Sequence, residues 1–416
     1  MTSTPPPATP GPATPGPATP GPAWFGPATP GPARFGPATP APGLPEPAGP
    51  GPAPRLTVRS STDLIAVVPY LLGFHPTDSL TVVALRRQSI VFVARTDLPG
   101  LDTPPAARAA AVAQLAAGVA RQRVDAAVLA GYGAADRVGA VLPAVRAALA
   151  DRQVPVRAAL RVADGRIWSL LCADACCPAD GVPYDPRSSA VAAAATVAGH
   201  VALPDRAALV AQLAPVTGPG REAMHRATAR AESRLDALLG DAALADLLGG
   251  RAVRAAGEAS VDAALTGGRR AARLADDEAA WLTVLLRYLP VRDHAWERVG
   301  PDDWQLDLWS DLTRRAEPDH VAAPASLLAF AAWRTGRGAL ASVALDRALA
   351  DDPGYAMARL LRDAVDQGLP PAAVGSWPLT RATGRAAGRR SGRRTGHGRA
   401  AYYRPAPPGR ALRLRW

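Results

Sequence analysis

Residues 56–85 are LTVRSSTDLIAVVPYLLGFHPTDSLTVVAL, and they carry the clearest folding signal of the chain. Ser61, Thr62 and Asp63 are N-cap candidates for an apolar helix, and Gly73 is a typical C-terminal stop. Pro69 inside this helix predicts a kink or an early end. The stretch therefore predicts a capped helix, a polar loop and a strand in direct succession, and folding is expected to begin here.

Strand and helix patterns alternate from this point to about residue 172. Two β-rich runs joined by RRQS predict a hairpin, and one all-apolar run predicts a buried strand. This order indicates an α/β sandwich with a mixed sheet and the apolar strand near its centre. The predicted strands are 80–85, 90–95, 124–131, 154–162 and 166–172, and the predicted helices are 104–123 and 134–151.

Nearly all of the sequence after residue 188 has helical periodicity. We therefore predict an all-helical second half, with disordered tails at both ends of the chain. The predicted helices are 190–201, 205–213, 220–239, 241–265, 276–289, 301–315 and 324–365. The predicted domains are a Pro/Gly/Ala arm over 1–54, an α/β domain over 55–187, a helical region over 188–370 and an Arg-rich tail over 371–416.

The arm repeats the unit GPATP, with the variants GPAWF and GPARF. Such a segment buries too little apolar area to offset the entropy of ordering, and its prolines favour extended polyproline II. It is expected to act as a solvated spacer. The alternative is a proline-rich ligand that contacts a partner through Trp24, Phe25 and Phe35.

Charge is segregated along the chain. Eleven of the 47 basic residues lie between Arg381 and Trp416, where no acid occurs, so the remaining 36 basic residues balance the 36 acidic ones. The folded body is therefore not expected to bind nucleic acid merely because the sequence pI is high. The tail, with Arg389, Arg390, Arg393 and Arg394, predicts binding to nucleic acid or another polyanion. Coding bias with simple solvation is the alternative explanation.

Three cysteines do not make a disulfide framework, and the N-terminus lacks the pattern of a secretory signal. The alanine-rich run over 189–203 falls short of the roughly 20 apolar residues of a membrane span. A cytoplasmic location without a membrane span is expected.

Three residue types of hydrolytic sites, His75, Asp78 and Ser79, occur in the loop before the first predicted strand. A catalytic triad needs its members to converge in space, and one short loop rarely provides that geometry. Structural roles are therefore favoured. The three residues remain candidates for a ligand or active site.

Gly131, Tyr132 and Gly133 follow the apolar strand and precede a helix, where α/β proteins bind ligands. The third glycine of a dinucleotide motif is missing, and Asp136 would repel a phosphate at the helix start. These residues are ligand-binding candidates, with a tight turn and a packed Tyr as the alternative.

Cys172, Cys176 and Cys177 form a cluster after the last predicted strand. Small buried side chains in a turn are the favoured interpretation. A zinc site, which would need His75 or His200 as a further ligand, and a redox-active thiol are the alternatives. No cofactor is predicted.

One tetratricopeptide-like unit is suggested near the end of the helical half. Ala341, Leu345, Ala348 and Pro353 follow that spacing, with Gly336 near the turn between helices. A peptide-binding groove for a protein partner is one interpretation. Ordinary packing of a helix pair is the other, because the upstream aromatic position is occupied by Ala325.

The opening pattern resembles the bacterial family named domain of unknown function 4192. The resemblance extends over about residues 56–370, and that family has no established activity, so it implies no role for any residue. It is carried by Asp63, Leu64, Pro69, Tyr70, Leu71, Leu72, Gly73, Phe74, Pro76, Asp78, Ser79, Leu80 and Val82, and further by Gly131 to Gly133, Ile167 to Ser169, Cys172, Cys176 to Pro178, Ala332, Trp333, Gly336, Asp352, Pro353 and Tyr355.

Two functions stay open. The favoured one is a binding or adaptor protein, with a ligand-recognising α/β domain and a basic tail. The alternative is a hydrolase or thiol-dependent enzyme whose site combines the 74–79 loop, the Gly131 to Gly133 turn and the cysteine turn.

Overall fold

The computed structural model describes residues 57–87, 89–100, 103–172, 177–240, 250–371 and 412–414. Within these residues the chain forms one eight-stranded sheet and thirteen α-helices. The predicted architecture, a mixed-sheet α/β region followed by a helical half, is confirmed. Of the described helices, none combines the length and the apolar character needed to cross a bilayer.

Helix α1 (Ser61–Leu72) begins one residue earlier than its predicted caps imply. Ser60 is the N-cap, and its hydroxyl accepts from the backbone N of Asp63 at 3.0 Å. Asp63 in turn accepts from the backbone N of Arg59 at 2.9 Å, so the start of the helix is satisfied from both sides. Pro69 lies inside the helix without ending it, and Gly73 closes it with φ 85°.

The sheet has the strand order β1-β8-β3-β2-β4-β5-β6-β7. The β2–β3 hairpin is antiparallel as predicted, β2 is antiparallel to β4, and β4 is parallel to β5. All seven residues of β4 are buried, which confirms the central apolar strand. The strands are β1 Thr57–Val58, β2 Ser79–Arg86, β3 Ser89–Asp97, β4 Ala126–Tyr132, β5 Val156–Ala163, β6 Arg166–Ser169, β7 Val182–Pro183 and β8 Leu412–Leu414.

Helices cover both faces of the sheet. Alternate residues of β2 and β4 pack against α1 and α4 (Ala190–Val197) on one face. The intervening residues pack against α2 (Pro105–Arg121) and α3 (Ala135–Ala150) on the other. Because side chains alternate along a strand, two helix layers of this kind require the continuous apolar run of β4.

The ends of β4 define two edges of the sheet. At the carboxyl edge lie Tyr132, the start of β2 and the end of β3, since Tyr132 pairs with Ser79 and Ser79 with Asp97. At the amino edge lie the tip of the β2–β3 hairpin and the residues that precede β4 and β5.

The helical region has more breaks than its periodicity predicts. The helical stretch predicted over 324–365 is three helices, separated at Gly336, where the turn of the helix pair was expected and φ is 78°, and at Pro353. The helix predicted over 276–289 ends at Leu285, and a new helix starts at Leu289. The helices are α5 Arg206–Ala211, α6 Pro219–Gly240, α7 Arg251–Arg269, α8 Asp276–Leu285, α9 Leu289–Glu297, α10 Asp303–Arg315, α11 Ala322–Arg334, α12 Gly338–Asp351 and α13 Ala356–Asp366.

The proposed tetratricopeptide-like positions lie in the α11–α12 helix pair. Ala341, Leu345 and Ala348 are buried against α11, and Ala325 is buried as well. The small residues let the two helices approach closely, which any antiparallel helix pair requires. A peptide-binding role for this pair stays a prediction.

The arm over 1–54 lies outside the described residues, and so does the tail except for a short strand. That strand, Leu412–Leu414, lies between β1 and β3, so the predicted lack of structure does not extend over these three residues.

Candidate functional site

The signature loop, residues 73–79, joins α1 to β2 and also attaches the sheet to the helical region. Phe74 forms a β-bridge with Leu203, and the backbone N of His75 donates to the Leu203 carbonyl at 2.9 Å. The Phe74 ring is 2% exposed and belongs to the apolar core of the helical region. The first part of the loop therefore serves as a structural joint.

His75 lies in this joint as a half-buried side chain. Burial lowers its pKa below the usual value, because the charged imidazolium loses hydration there. The imidazole is therefore kept in its neutral form at neutral pH.

Asp78 bends the chain into β2 with φ 41°, a conformation that few non-glycine residues adopt. One of its carboxylate oxygens accepts from Arg137 Nη1 at 2.6 Å, and Arg137 Nη2 donates to the Leu98 carbonyl at 3.1 Å. The Leu98 backbone N donates to the Asp78 carbonyl at 2.8 Å. Asp78 thus ties the start of α3 to the end of β3.

Ser79 and Tyr132 are a cross-strand pair under α1. Ser79 is fully buried and Tyr132 is 7% exposed, and neither hydroxyl has a hydrogen-bond partner among the described residues. Burial raises the pKa of Tyr132, and the nearby Tyr184 raises it further, while the adjacent Thr81 hydroxyl partly opposes this. Among the described residues, therefore, no base is hydrogen-bonded to the Ser79 hydroxyl.

The two glycines after β4 are required by close approach. A Cβ at Gly131 would lie 2.4 Å from Val138 Cγ1, so its absence lets α3 pack on the strand. Gly133 has φ 140°, and a Cβ there would lie 3.1 Å from the Asp78 carboxylate. These contacts support the tight-turn interpretation of the Gly131 to Gly133 segment.

Arg161 and Trp168 complete the carboxyl edge, and sequence reasoning missed this pair. The Arg161 guanidinium carbon lies 3.5 Å from the Trp168 ring centroid, and Arg161 Nη1 donates to the Gly133 carbonyl at 3.4 Å. Trp168 Nε1 donates to the Ala179 carbonyl at 3.0 Å. The sequence does contain a signal for this pair. The turn at Asp164 and Gly165 joins two antiparallel strands and makes Arg161 and Trp168 cross-strand neighbours.

The start of α3 lies between these groups. Its N-cap, Ala134, provides no side-chain hydrogen bond, so backbone N–H groups of the first turn have no capping acceptor from that residue. Arg137 and Arg161 lie beside this helix start, together with the carboxylates of Asp78 and Asp136. Guanidinium and backbone N–H donors of this kind suit a small anion.

A family model described as Domain of unknown function (DUF4192) matches residues 62–372, about three quarters of the chain. The chain belongs to this family. Within the DUF4192 match lie the signature loop, the carboxyl edge and the helical region. No curated protein and no solved structure matches the chain.

The cysteine turn of this DUF4192 chain starts part-way along the parallel strands, away from their carboxyl ends. Ser169 pairs with Leu160, and Leu170 N donates to the Ala159 carbonyl, so the chain runs toward the amino edge before Cys172. At about 3.3 Å per residue, this takes Cys172 more than 10 Å along the sheet from Gly133. Cys176 lies outside the described residues, within which no group of three metal-ligating side chains is placed to hold an ion.

Two open depressions occur in the helical region, away from the sheet edges. The first, of ≈ 340 Å³, is lined by Arg221, Glu222, His225, Arg226 and Glu317. Two of its charged groups pair with each other, since Glu317 accepts from Arg221 at 2.9 Å. The second, of ≈ 300 Å³, is formed by the two residues after α5 and by residues of α10 and α12 with Arg337. None of the residues that line these two depressions is a site candidate predicted from the sequence.

The remaining candidates, Arg389, Arg390, Arg393 and Arg394, lie outside the described residues. The structure thus brings Asp78 and Gly133 together at the carboxyl edge. It places Ser79 and Tyr132 beneath α1, and His75 in the joint to the helical region.

Proposed function

We propose that this DUF4192 chain is a binding protein whose α/β region holds a small anionic ligand at the carboxyl edge of β4. The observation that carries the proposal is Arg161. Its guanidinium is stacked on Trp168 and makes one long hydrogen bond, to the Gly133 carbonyl, which leaves donor capacity beside the start of α3.

Arg137 has a different part in this proposal. It is held by the Asp78 carboxylate and the Leu98 carbonyl, so it acts as a clamp that positions the helix start. Asp78 and Asp136 also limit the charge that the site accepts, because they repel a polyphosphate. A ligand with one carboxylate or one phosphate group fits this balance best.

Binding is favoured over catalysis because the residues of catalytic type near this edge have structural roles. Ser79 and Tyr132 are enclosed by packing, and the backbone of His75 is bonded to Leu203. The enzyme alternative needs the 74–79 loop, the Gly131 to Gly133 turn and the cysteine turn in one place. Along the strand register Cys172 lies away from the Gly131 to Gly133 turn, whereas Ala179, two residues after Cys177, contacts Trp168 at the carboxyl edge.

The test compares ligand binding by the whole chain with binding by Arg161→Gln. We expect native mass spectrometry to detect a small acidic compound that co-purifies with the wild type. Inorganic phosphate, succinate or adenosine monophosphate is expected to raise the melting temperature of the wild type but not of Arg161→Gln. Arg146→Gln, an exposed change on α3, is the matched control and should bind as the wild type does.

Two results would contradict the ligand site. One is a wild type that carries no compound and gains no stability from any of these three anions. The other is equal stabilisation of Arg161→Gln and the wild type.

The proposal also includes the tail over 371–416 as a polyanion-binding segment and the helical half as a surface for a protein partner, in a cytoplasmic protein. The tail has eleven arginines and no acid from residue 381 onward. Changing Arg389, Arg390, Arg393 and Arg394 to Gln should weaken salt-sensitive DNA or RNA binding. Unchanged binding by this variant would remove the tail from the proposal.

A further inference from the structure

Three loops meet at the amino edge of the sheet. Arg86 Nε, at the hairpin tip, donates to the Arg123 carbonyl at 3.1 Å, and Arg87 N donates to the Asp125 carboxylate at 2.8 Å. The loop after α3 joins them, because the backbone N of Ala127 donates to the Pro155 carbonyl at 2.9 Å. The edge is therefore one continuous surface built from three chain segments.

This surface is strongly basic, although the body as a whole is electrically balanced. Only two acids, Asp125 and Asp151, are exposed on the same three loops. Two helix C-termini, those of α2 and α3, add partial negative charge that offsets some of the excess. The basic edge consists of six exposed arginines: Arg86, Arg87, Arg121, Arg123, Arg152 and Arg157.

The six arginines divide into anchored and available groups. Arg86 donates to backbone carbonyls of the α2–β4 loop, Arg121 to the Gln367 carbonyl and Arg152 to the Ala148 carbonyl. These bonds fix the shape of the surface. In the part of the chain that the structure describes, the side chains of the other three, Arg87, Arg123 and Arg157, make no hydrogen bond or ion pair, so their donors face solvent.

The end of the helical region and the short strand near the end of the tail both meet this edge. Gln122 Nε2 donates to the Gly368 carbonyl, just before the tail begins. At the far end of the tail, Arg413 in β8 pairs with Ser89 next to the hairpin tip. The described residues on either side of the stretch 372–411 therefore both lie beside the basic edge.

We propose that the basic edge is a nucleic-acid interface that contacts the phosphate backbone. Arginine presents a planar fork of donors that matches phosphate oxygens. An anionic membrane is a poorer fit, because Leu85, Ile90 and Val154 at this edge are buried, and the exposed Val91 beside the hairpin tip presents little apolar area to a lipid layer. Contacts to phosphate alone predict little base preference.

The test measures DNA binding by the full chain as salt is varied. The variant Arg87→Gln/Arg123→Gln/Arg157→Gln removes the three available charges and leaves the anchored arginines in place. The control, Arg270→Gln/Arg287→Gln/Arg359→Gln, removes three exposed arginines from the helical region. Fluorescence anisotropy with a labelled mixed-sequence DNA duplex gives the slope of log K against log salt.

If each available arginine neutralises one phosphate, the slope should become shallower by about 2.7 in the edge variant and stay unchanged in the control. The same loss is expected when Arg389, Arg390, Arg393 and Arg394 are already Gln, because the body and the tail contribute separately. Circular dichroism should show both triple variants folded.

The proposal would be overturned if the edge variant matched the control in affinity and salt slope. It would also be overturned if the edge variant lost binding only to phosphatidylglycerol vesicles and kept its DNA binding, since the partner would then be a membrane. The small-ligand site lies at the opposite edge and is tested with other variants, so each of the two proposals can fail alone.

Discussion

The two edges of the central strand attach the helical region to the sheet in different ways. At the carboxyl edge the joint is apolar and main-chain: Phe74 enters the helical core, and two backbone hydrogen bonds link the signature loop to Leu203. At the amino edge the joint is polar, because Gln114, Arg121 and Gln122 of α2 donate to the carbonyls of residues 366–368 at the end of α13.

Because of this difference, we expect the carboxyl-edge joint to contribute mainly to stability and the amino edge to contribute mainly to recognition of a partner. The carboxyl-edge joint removes a large aromatic ring from water, whereas the amino-edge joint satisfies carbonyls that a helix end leaves without partners. The charges differ as well. Carboxylates and guanidiniums alternate around the signature loop, while arginines dominate the opposite edge. We expect substitutions at the two joints to differ accordingly.

The largest effect is expected for Phe74→Ala. The Phe74 ring is almost fully buried in the helical core. The guanidinium carbon Cζ of Arg95 lies over the ring, 5.7 Å from the ring centroid. Its loss should lower the free energy of unfolding by about 3–5 kcal/mol, measured by urea denaturation. Phe92→Ala, at a half-buried position on the other face of the sheet, is the control and should cost less. Equal losses of unfolding free energy in the two variants would contradict the view that the Phe74 joint contributes more to stability than an ordinary half-buried ring.

A smaller loss is expected for Gly368→Ala at the polar joint. Gly368 has φ 64°, and a Cβ there would lie 3.0 Å from the Gly118 Cα. Gly336→Ala is the matched control, since Gly336 has φ 78° but open space around its Cβ position. Both variants strain the backbone, because alanine is disfavoured at positive φ. Overpacking against Gly118 should lower the free energy of unfolding of Gly368→Ala by about 1–3 kcal/mol more than that of Gly336→Ala, measured by thermal or urea unfolding. A difference near zero would mean that α2 and α13 separate easily.

Tyr132→Phe should change stability mainly at high pH. Folding raises the pKa of Tyr132, so the unfolded chain loses this proton first as pH rises above about 10, and the folded state is then disfavoured. The variant should lose less stability between pH 9 and 11 than the wild type, as followed by urea unfolding at each pH. At pH 7, removal of an unpartnered buried hydroxyl should stabilise the fold by roughly 1 kcal/mol or leave it unchanged. A clear loss at pH 7 would show that the hydroxyl has a partner.

The smallest effect is expected for the Asp78–Arg137 pair. A double-mutant cycle with Asp78→Asn and Arg137→Gln should give a coupling of about 0.2–1 kcal/mol, because Asp78 is largely exposed. The exposed Arg337–Asp303 pair gives a reference cycle for an ordinary surface ion pair. A coupling free energy far above that reference would show that the stability of the carboxyl edge depends on this ion pair as well as on the burial of Phe74.

Elements with a strong local signal were predicted well. The apolar run of β4, the β2–β3 hairpin and the stop at Gly73 are encoded by neighbouring residues, so periodicity and turn chemistry identify them. Helix breaks were harder: the Leu285 to Leu289 junction has no glycine, and Pro290 in the first turn of the new helix is its local signal. The Arg161–Trp168 pair requires the strand register, and the basic edge requires three loops that are far apart in sequence.

The sequence by itself determined the class of the fold, because apolar runs bounded by caps and turns commit each segment to helix or strand before any long-range contact forms. It also determined the charge separation between body and tail. The tertiary structure alone decided which side chains meet. Hydrophobic burial put Phe74 into the helical core and Ser79 beneath α1, and the parallel pairing of β4 with β5 placed Arg161 beside Gly133. Burial is non-directional, so only the assembled layers specify these neighbours.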